Sequence, residues 1–312
     1  MREKLIRLVL SFWPIAKEND GNLEVIDIMP TRTDKNFSIY DIIVSEELML
    51  QKHTDKRRII TEWKKVEYSK GQIDKAGKAL TNKSISPTEE KEALEIVNNW
   101  RASHAFPLHI ITCHLRRISP NNAVVVQRLK RIDSILGKLE RFPSMNLYRM
   151  QDLGGCRVIV DSMSEVDAII SRLKKSRIRH ILKNEHDYIA SPKSSGYRCH
   201  HLVYQYHSDK VSDYNKNMLI EVQIRTRLQH LWATAIETMG IYTHSALKAS
   251  IGDEDILRFF ALVSSLFALE ENLPTVPGTP DNKIDLIDEL REINSRRNVV
   301  DTLKAIRVAV DY

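Results

Sequence analysis

The spacing of hydrophobic positions divides the chain into regions of different texture. Residues 1–60 alternate short apolar runs with polar turns, which indicates a few strands or short helices without a recognisable motif. From Ser86, followed by Pro87 and a run of acids, the spacing becomes helical, and Pro107 predicts a break or kink in that helix. A second helix is predicted over residues 122–141, where apolar residues recur at spacings of three and four.

Beyond residue 150 the pattern is that of a sheet and then of helices again. Short β-branched or alternating runs predict strands at residues 156–160, 177–182, 200–206 and 219–224. Helical spacing is found at residues 164–174, 228–239, 253–272 and 285–310. The last two helices are joined by LPTVPGTPDN, whose three prolines are typical of a linker. The predicted fold class is α/β (α+β), with a mixed central sheet flanked by helices and with helical N- and C-terminal extensions.

Composition places the chain among folded soluble proteins. It has 312 residues, of which 42% are hydrophobic and 28% charged. The three cysteines are far apart, which argues against a disulfide framework or a zinc knuckle and favours a reducing compartment. The longest apolar stretch, residues 256–269, is too short to cross a bilayer, and the N-terminus has no small-residue cleavage site. We therefore expect a cytoplasmic protein that does not bind to or cross a membrane.

Positive charge is concentrated in one segment. The whole chain carries a formal net charge of +6, whereas residues 101–150 alone hold nine Lys and Arg against two Asp and Glu, a local charge of +7. Such a field favours polyanions, either nucleoside polyphosphates or nucleic acid, although a solvated helix face is an equally common reason for it.

Two motifs near this segment contain groups suited to phosphate and metal binding. In QRLKRIDSILGK, the side chains of Arg128, Lys130 or Arg131, Ser134 and Lys138 recur at spacings that place several cations on neighbouring helix faces, as a triphosphate site or a polar surface helix would. In QDLGGCRVIV, an acid precedes two glycines that would allow a tight turn, and an arginine enters a strand. Asp152 at a sheet edge could hold Mg²⁺, and a plain turn into a strand is the alternative.

Two further motifs follow. The loop HDYIASPKSSGYRCHH could present Lys193 to phosphates and the ring of Tyr197 to a base. In IEVQIRT, the period of two places Glu221, Gln223 and Arg225 on one face of a strand and the apolar residues on the other. Glu221 could complete a two-carboxylate metal site, or act as a base for a hydroxyl proton, or lie on a merely solvated edge strand.

Together, in this order and wording, the motifs RLKRIDSILGK, DLGGCRVIV, DYIASPKSSGYRCHH and EVQIRT closely resemble the synthetase domain of the RelA/SpoT family of alarmone pyrophosphokinases, over about residues 120–245. The resemblance implies a nucleotidyltransferase-like fold that transfers the β,γ-pyrophosphate of ATP to the ribose 3′-hydroxyl of GDP or GTP with Mg²⁺, giving (p)ppGpp. It divides the chain into an N-terminal region of unknown role (1–85), a synthetase domain with its leading helices (86–245) and a C-terminal helical extension (246–312).

The resemblance also implies residue roles. Metal binding and catalysis fall to Asp152 and Glu221. The ATP side comprises Arg128, Lys130, Ser134, Lys138 and Arg157, with the two arginines flanking the adenine. The acceptor side comprises Lys193, Tyr197 and His201, and the residues that order the site are Gln223 and Arg225. Cys156 and Cys199 are expected to be packing residues.

Departures from the family pattern leave the acceptor open. Ser195 stands where many relatives have an asparagine, His186 replaces a lysine, and Thr234 replaces an acid, with Glu237 nearby. The alternatives are a toxin-type relative that pyrophosphorylates the 3′ end of tRNA or makes adenosine alarmones, and an inactive nucleotide- or RNA-binding module. The C-terminal helices could pack on the domain or form a homo-oligomer.

Overall fold

The structure, a computed structural model, describes residues 16–19, 22–25, 63–82, 84–176 and 178–311. The chain forms two compact units. The sheet unit comprises residues 50–189 and 199–227, and the helical unit comprises residues 1–49, 190–198 and 228–312. Most of the short elements predicted within residues 1–60 lie outside the described residues. Within that region, β1 (Ala16–Asn19) and β2 (Asn22–Val25) pair antiparallel in the helical unit.

Between residues 63 and 118, the described part of the chain forms three helices that precede the sheet. They are α1 (Lys70–Ala79), α2 (Pro87–Ser103) and α3 (Ala105–Ile118). The predicted helix start is confirmed: Ser86 and Glu89 form a reciprocal capping box and Pro87 occupies the first helical position. The predicted break is confirmed as well, because α2 ends before Pro107, which lies in the first turn of α3. Because α1 belongs to the same hydrophobic core as α2, the sheet unit begins before the predicted boundary at residue 86.

A five-stranded mixed sheet forms the centre of the sheet unit. Its strands are β3 (Val124–Leu129), β4 (Gly154–Val160), β5 (Ile181–Asp187), β6 (His200–Gln205) and β7 (Leu219–Thr226). The spatial order is β3-β4-β7-β6-β5, with β4 and β7 parallel and the other neighbours antiparallel. The helices α4 (Ile132–Arg141) and α5 (Met163–Lys175) complete the unit, so the predicted mixed sheet flanked by helices is confirmed.

The prediction of one helix over residues 122–141 is wrong in its first half. Val124, Val125 and Val126 belong to β3, and the helix begins only at Ile132. Three consecutive β-branched residues favour extended backbone, and the antiparallel partner β4 supplies the hydrogen bonds that a helix would have made internally. The apolar residues of the strand also fit the spacing of a helix, so the sequence pattern did not separate the strand from the helix that follows it.

One face of the sheet is the apolar core. Val158, Leu202, Val222 and Ile224 are fully buried on this face, which α3 and α5 cover. A side chain at Gly154 would collide with Ile220 and approach Leu108, so the first residue of β4 has to be small where α3 crosses it. The opposite face of the sheet remains available for polar groups.

The described residues of the helical unit form four helices. They are α6 (Arg227–Tyr242), α7 (Glu254–Glu270), α8 (Lys283–Arg297) and α9 (Val299–Asp311), which confirms the predicted helices except that the last one is divided. The division occurs at Asn298, whose φ of 50° ends α8 in the left-handed region. The predicted linker between α7 and α8 is packed rather than loose, because Val276 is buried and its N–H donates to Ser265 Oγ at 2.9 Å. Throughout the described residues, each helix is too short or too polar to cross a bilayer.

A tight turn in the loop 190–198 depends on glycine. Gly196 has φ +94°, and its N–H donates to Lys193 O at 2.8 Å. An added Cβ would lie 2.7 Å from Ser264 Cβ and 3.2 Å from Phe260 O, both on α7. Positive φ and close approach therefore both require glycine here.

We expect Gly196→Ala to destabilise the protein by about 3 kcal/mol, from left-handed strain plus overpacking against α7. Gly278→Ala is the matched control, because Gly278 also has positive φ but an added Cβ would meet nothing within 4 Å. The control should lose only about 1–2 kcal/mol. Urea unfolding of both variants measures the difference, and equal losses would contradict the crowding at Gly196.

Candidate active site

Polar side chains collect on the face of the sheet that α3 and α5 leave uncovered. The predicted alternation in β7 is confirmed, since Val222 and Ile224 are buried in the core and Glu221 and Gln223 face the other way. The register builds two rows across this face, which we call the site face. One row contains Arg128, Gly155 and Glu221, and the next contains Arg157, Gln223 and His201.

Asp152 and two lysines form the first cluster. Asp152 lies in the turn before β4, Lys130 directly follows β3, and Lys138 lies on α4. Lys130 Nζ is 2.9 Å from Asp152 Oδ2, and Lys138 Nζ is 2.9 Å from Asp152 Oδ1. Burial alone would raise the pKa of Asp152, but the two ammonium groups outweigh it and hold the pKa below its usual value. Asp152 is therefore an ionised carboxylate with a cation on each oxygen.

A second cluster runs along the adjacent strands. His201 Nδ1 lies 2.9 Å from Glu221 Oε1, Gln223 Nε2 donates to Glu221 Oε2 at 2.7 Å, and Arg157 Nε donates to Gln223 Oε1 at 3.0 Å. Burial opposes the charge on His201, yet its hydrogen bonds to Cys199 and Glu221 raise its pKa to about 9. Burial would likewise raise the pKa of Glu221, but His201 lowers it below the usual value. This cluster is an imidazolium–carboxylate pair positioned by an amide and a guanidinium.

The two carboxylates sense each other's charge. The negative charge of Asp152 raises the pKa of Glu221, although the His201 contribution outweighs it. Among the described residues, no group of three or more His, Cys, Asp or Glu side chains is arranged to hold a metal ion. Two ionised carboxylates fit Mg²⁺ nevertheless, because Mg²⁺ is commonly held by one or two protein carboxylates together with substrate phosphates and water.

The other predicted ATP-side residues surround the first cluster. Ser134 is exposed on α4 one turn before Lys138, so both side chains lie on one helix face. Arg128 is exposed on β3 and lies diagonal to Arg157 on the neighbouring strand. Between these arginines and Glu221 the sheet presents Gly155, where an added Cβ would meet only the Glu221 carbonyl oxygen, at 3.8 Å, among the described residues. The site face therefore has a gap between its cations.

The glycine pair does not form the tight turn that the sequence suggested. Gly154 and Gly155 are the first two residues of β4 and pair with Ile220 and Glu221 in a regular ladder. Neither has a positive φ. Their small size matters instead: one makes room for α3 and the other leaves the gap on the site face.

Arg225 is more deeply buried than a residue on a solvated edge strand would be. It continues the site face of β7 beside Ile159, but only 1% of it is exposed. Burial raises the pKa of the Cys199 thiol, but the hydrogen bond and charge of His201, with the charges of Arg225 and Arg157, lower it below its usual value. Burial suits the predicted site-ordering role of Arg225, which stays a prediction.

In the helical unit, the loop 190–198 carries the remaining predicted residues. Lys193 Nζ lies 5.4 Å from the centroid of the Tyr197 ring. The tyrosine is only 3% exposed and packs near Trp232, with ring centroids 6.4 Å apart. The open aromatic platform that the sequence suggested is therefore closed in this conformation, because neighbouring side chains cover the ring.

Part of this chain is similar to known proteins. The family model described as "Region found in RelA / SpoT proteins" matches residues 127–247. The GTP pyrophosphokinase YjbM of Bacillus subtilis (strain 168) is 31% identical over 156 residues, which cover 49% of this chain and 71% of that protein. This chain belongs to the RelA/SpoT family.

Two further proteins are similar to part of this chain. The GTP pyrophosphokinase YwaC of Bacillus subtilis (strain 168) is 30% identical over 132 residues, covering 41% of this chain and 62% of that protein. Among solved structures, the small alarmone synthetase 1 from Bacillus subtilis bound to its product pppGpp is 24% identical, with a TM-score of 0.47, and the likeness covers 56% of this chain and 92% of that one.

All residues predicted for the site lie inside the RelA/SpoT match. The structure joins Lys130, Lys138 and Asp152 in one cluster, and Glu221, His201, Gln223 and Arg157 in the other. Sequence reasoning missed Lys248, whose Nζ lies 4.8 Å from the centroid of the Tyr197 ring. No local pattern pointed to this lysine, because the contact depends on how two distant segments of the helical unit pack.

The pKa of His201 generates a test of the second cluster. Because pairing raises the folded-state pKa from 6.5 to about 9, the stability from this group is complete below pH 6.5 and is lost as the pH rises through 9. We expect the free energy of unfolding of the wild-type protein to fall by on the order of 2–3 kcal/mol as the pH rises from 6.5 to about 9. The His201→Gln variant should lack this fall. Urea unfolding at several pH values measures it, with the exposed His244→Gln as control. Equal pH slopes in wild type and His201→Gln would refute the pairing.

Proposed function

We propose that this chain is an ATP-dependent pyrophosphokinase that transfers the β,γ-pyrophosphate of ATP to the 3′-hydroxyl of GDP or GTP, producing (p)ppGpp. The observation that carries the proposal is the pair of clusters on the site face, one rich in cations around Asp152 and one holding Glu221 ionised beside His201. Relatives that are called GTP pyrophosphokinases support the same reaction. Pyrophosphoryl transfer requires positioning and charge neutralisation more than covalent catalysis, and these clusters supply both.

On the ATP side, the two lysines exchange the carboxylate of Asp152 for the phosphates of ATP. Lys130 and Lys138 bind Asp152 in the structure, and the more highly charged phosphate oxygens of ATP compete for the same ammonium groups. Arg128 and Arg157 flank the adenine above the gap at Gly155, and Ser134 donates to a phosphate from the face of α4. Asp152 and Glu221 would hold Mg²⁺, which when bound supplies further charge neutralisation at the transferred group.

On the acceptor side, Glu221 receives the proton of the 3′-hydroxyl. The ribose oxygen bonds to the β-phosphorus of ATP, the bond from that phosphorus to the α,β-bridging oxygen breaks, and AMP leaves. His201 keeps Glu221 ionised and so able to accept a hydrogen bond, and its own positive charge faces the phosphates of the acceptor. Lys193 binds acceptor phosphate and Tyr197 stacks on the base after its ring is uncovered.

The shape-conserving tests of the two acids are Asp152→Asn and Glu221→Gln. Each should lower transfer at least about a hundredfold, because each removes an ionised carboxylate at the reacting groups. Transfer from γ-labelled ATP measures the loss, and circular dichroism with thermal unfolding verifies that the fold is intact. Substantial activity in either folded variant would refute the two-acid assignment.

Gly155→Ala tests the gap between the cations. The added methyl group fits the backbone but projects onto the site face, so we expect stability within about 0.5 kcal/mol of wild type and a roughly tenfold rise in the KM for ATP. Gly137→Ala is a control on α4, where an added Cβ meets nothing within 4 Å. An unchanged KM in Gly155→Ala would place the adenine elsewhere.

The alternative acceptor is the 3′ end of tRNA, favoured by the local charge of +7 over residues 101–150. Part of that positive charge has partners within the site itself. Lys130 and Lys138 bind Asp152, and Arg101 Nε donates to Lys130 O at 2.6 Å. Because these cations already have partners within the site, the local charge is a weaker argument for tRNA as the acceptor.

A single assay separates the alternatives. The wild-type protein receives γ-labelled ATP and Mg²⁺ with GDP, GTP, ATP or deacylated tRNA, and the products are resolved by size. We expect label on the guanosine nucleotides. Label on tRNA or on an adenosine nucleotide would establish the toxin-type activity instead, and absence of label on every acceptor would favour a binding-only protein.

A further inference from the structure

Lys248 covers the aromatic ring of the loop 190–198 from outside the family match. It lies in the 3₁₀ turn Leu247–Ala249, and its Nζ is 4.8 Å from the centroid of the Tyr197 ring, closer than Lys193 Nζ at 5.4 Å. All three residues belong to the helical unit. One ring therefore has two ammonium groups within cation–π distance.

The backbone around Lys248 follows the same loop. Ser195 Oγ donates to Lys248 O at 3.4 Å, and the hydroxyls of Ser194 and Ser250 are 3.3 Å apart. The segment 248–250 is thus held along the loop at three points, counting the cation–π contact. These contacts fix the position of the Lys248 backbone. The flexible four-carbon side chain still allows the ammonium group to move.

The carboxylate that pairs with Lys248 in the structure competes only weakly with a phosphate for its ammonium group. Lys248 Nζ lies 2.5 Å from Glu237 Oε1, and the two side chains are 33% and 54% exposed. An ion pair that is open to solvent contributes little stability, whereas phosphate offers several strong acceptor oxygens and more charge. An incoming phosphate can therefore take this ammonium from Glu237.

We propose that Lys248 is a specificity-determining residue for the acceptor nucleotide. It covers Tyr197 while no acceptor is present, and it binds the 5′-phosphates of the acceptor when the base takes its place on the ring. An aromatic face with two flexible cations beside it is the chemistry that recognises a nucleoside di- or triphosphate, through stacking and through charge. The inference rests on the proposed pyrophosphokinase function and extends it to a residue beyond the family match.

The test compares Lys248→Met with wild type in transfer assays at saturating ATP. Methionine keeps most of the apolar stem and removes the charge, so we expect the KM for GDP and GTP to rise about tenfold to a hundredfold, the effect of losing one charge-assisted hydrogen bond. The kcat and the KM for ATP should stay within about twofold of wild type, because the proposed contact is with the acceptor and is lost from its binding alone. Lys248→Arg, which keeps a cation, should restore most of the acceptor affinity.

Lys304→Met is the matched control, since Lys304 is another partly exposed lysine of the helical unit, paired with Asp301 on α9. It should leave both KM values unchanged. An unchanged or lowered acceptor KM in Lys248→Met would overturn the inference, because Lys248 would then only cover the ring. If the wild-type protein labels no guanosine nucleotide, the proposed function itself fails, and the acceptor on which this inference rests is withdrawn with it.

Discussion

The parallel pairing of β4 with β7 is the constraint on which the site depends. It places Gly155 beside Glu221 and Arg157 beside Gln223. Because Asp152 lies in the turn just before β4, the pairing also brings that turn to the end of the sheet where Glu221 lies. A slip of one residue would turn Glu221 and Gln223 into the apolar core. The register is fixed from the other side of the sheet, where Val158, Val222 and Ile224 have to face α3 and α5. Core packing therefore determines which carboxylates and cations meet.

The charges on the site face are balanced locally and positive in sum. Each carboxylate has at least one cation in direct contact, and burial raises the pKa of both carboxylates by less than those cations lower it. Lys130 and Lys138 together exceed the single charge of Asp152, and Arg128 and Arg157 add to the surplus. Buried or half-buried charges are tolerated because they are paired, and the remaining charge on the site face is positive. In the proposed function, this positive surplus is what a polyphosphate would bind.

The sequence predicted those parts of the site that depend on local periodicity. The alternation of β7 and the capping box at Ser86 could be recognised because each needs only a few neighbouring residues, whereas the roles of the two acids stay predictions. Strand β3 was missed because its apolar spacing also fits a helix, and only the pairing with β4 distinguishes the two. The closed ring of Tyr197 and the approach of Lys248 depend on packing between distant segments, which no window of sequence contains.

The loop that carries Tyr197 is firmly held at one end and weakly at the other. Gly196 is wedged against α7, and Arg198 Nε donates to Ser264 Oγ at 3.2 Å while its Nη2 donates to Pro274 O at 2.5 Å. The hydroxyl contacts of Ser194 and Ser195, by contrast, are 3.3 and 3.4 Å long, at the weak limit of hydrogen bonding. Moving the anchored backbone would break buried contacts, whereas moving the Lys248 side chain breaks a solvent-accessible ion pair and a cation–π contact. Uncovering the ring by side-chain motion is therefore the less costly route, and it leaves the position of the tyrosine itself unchanged.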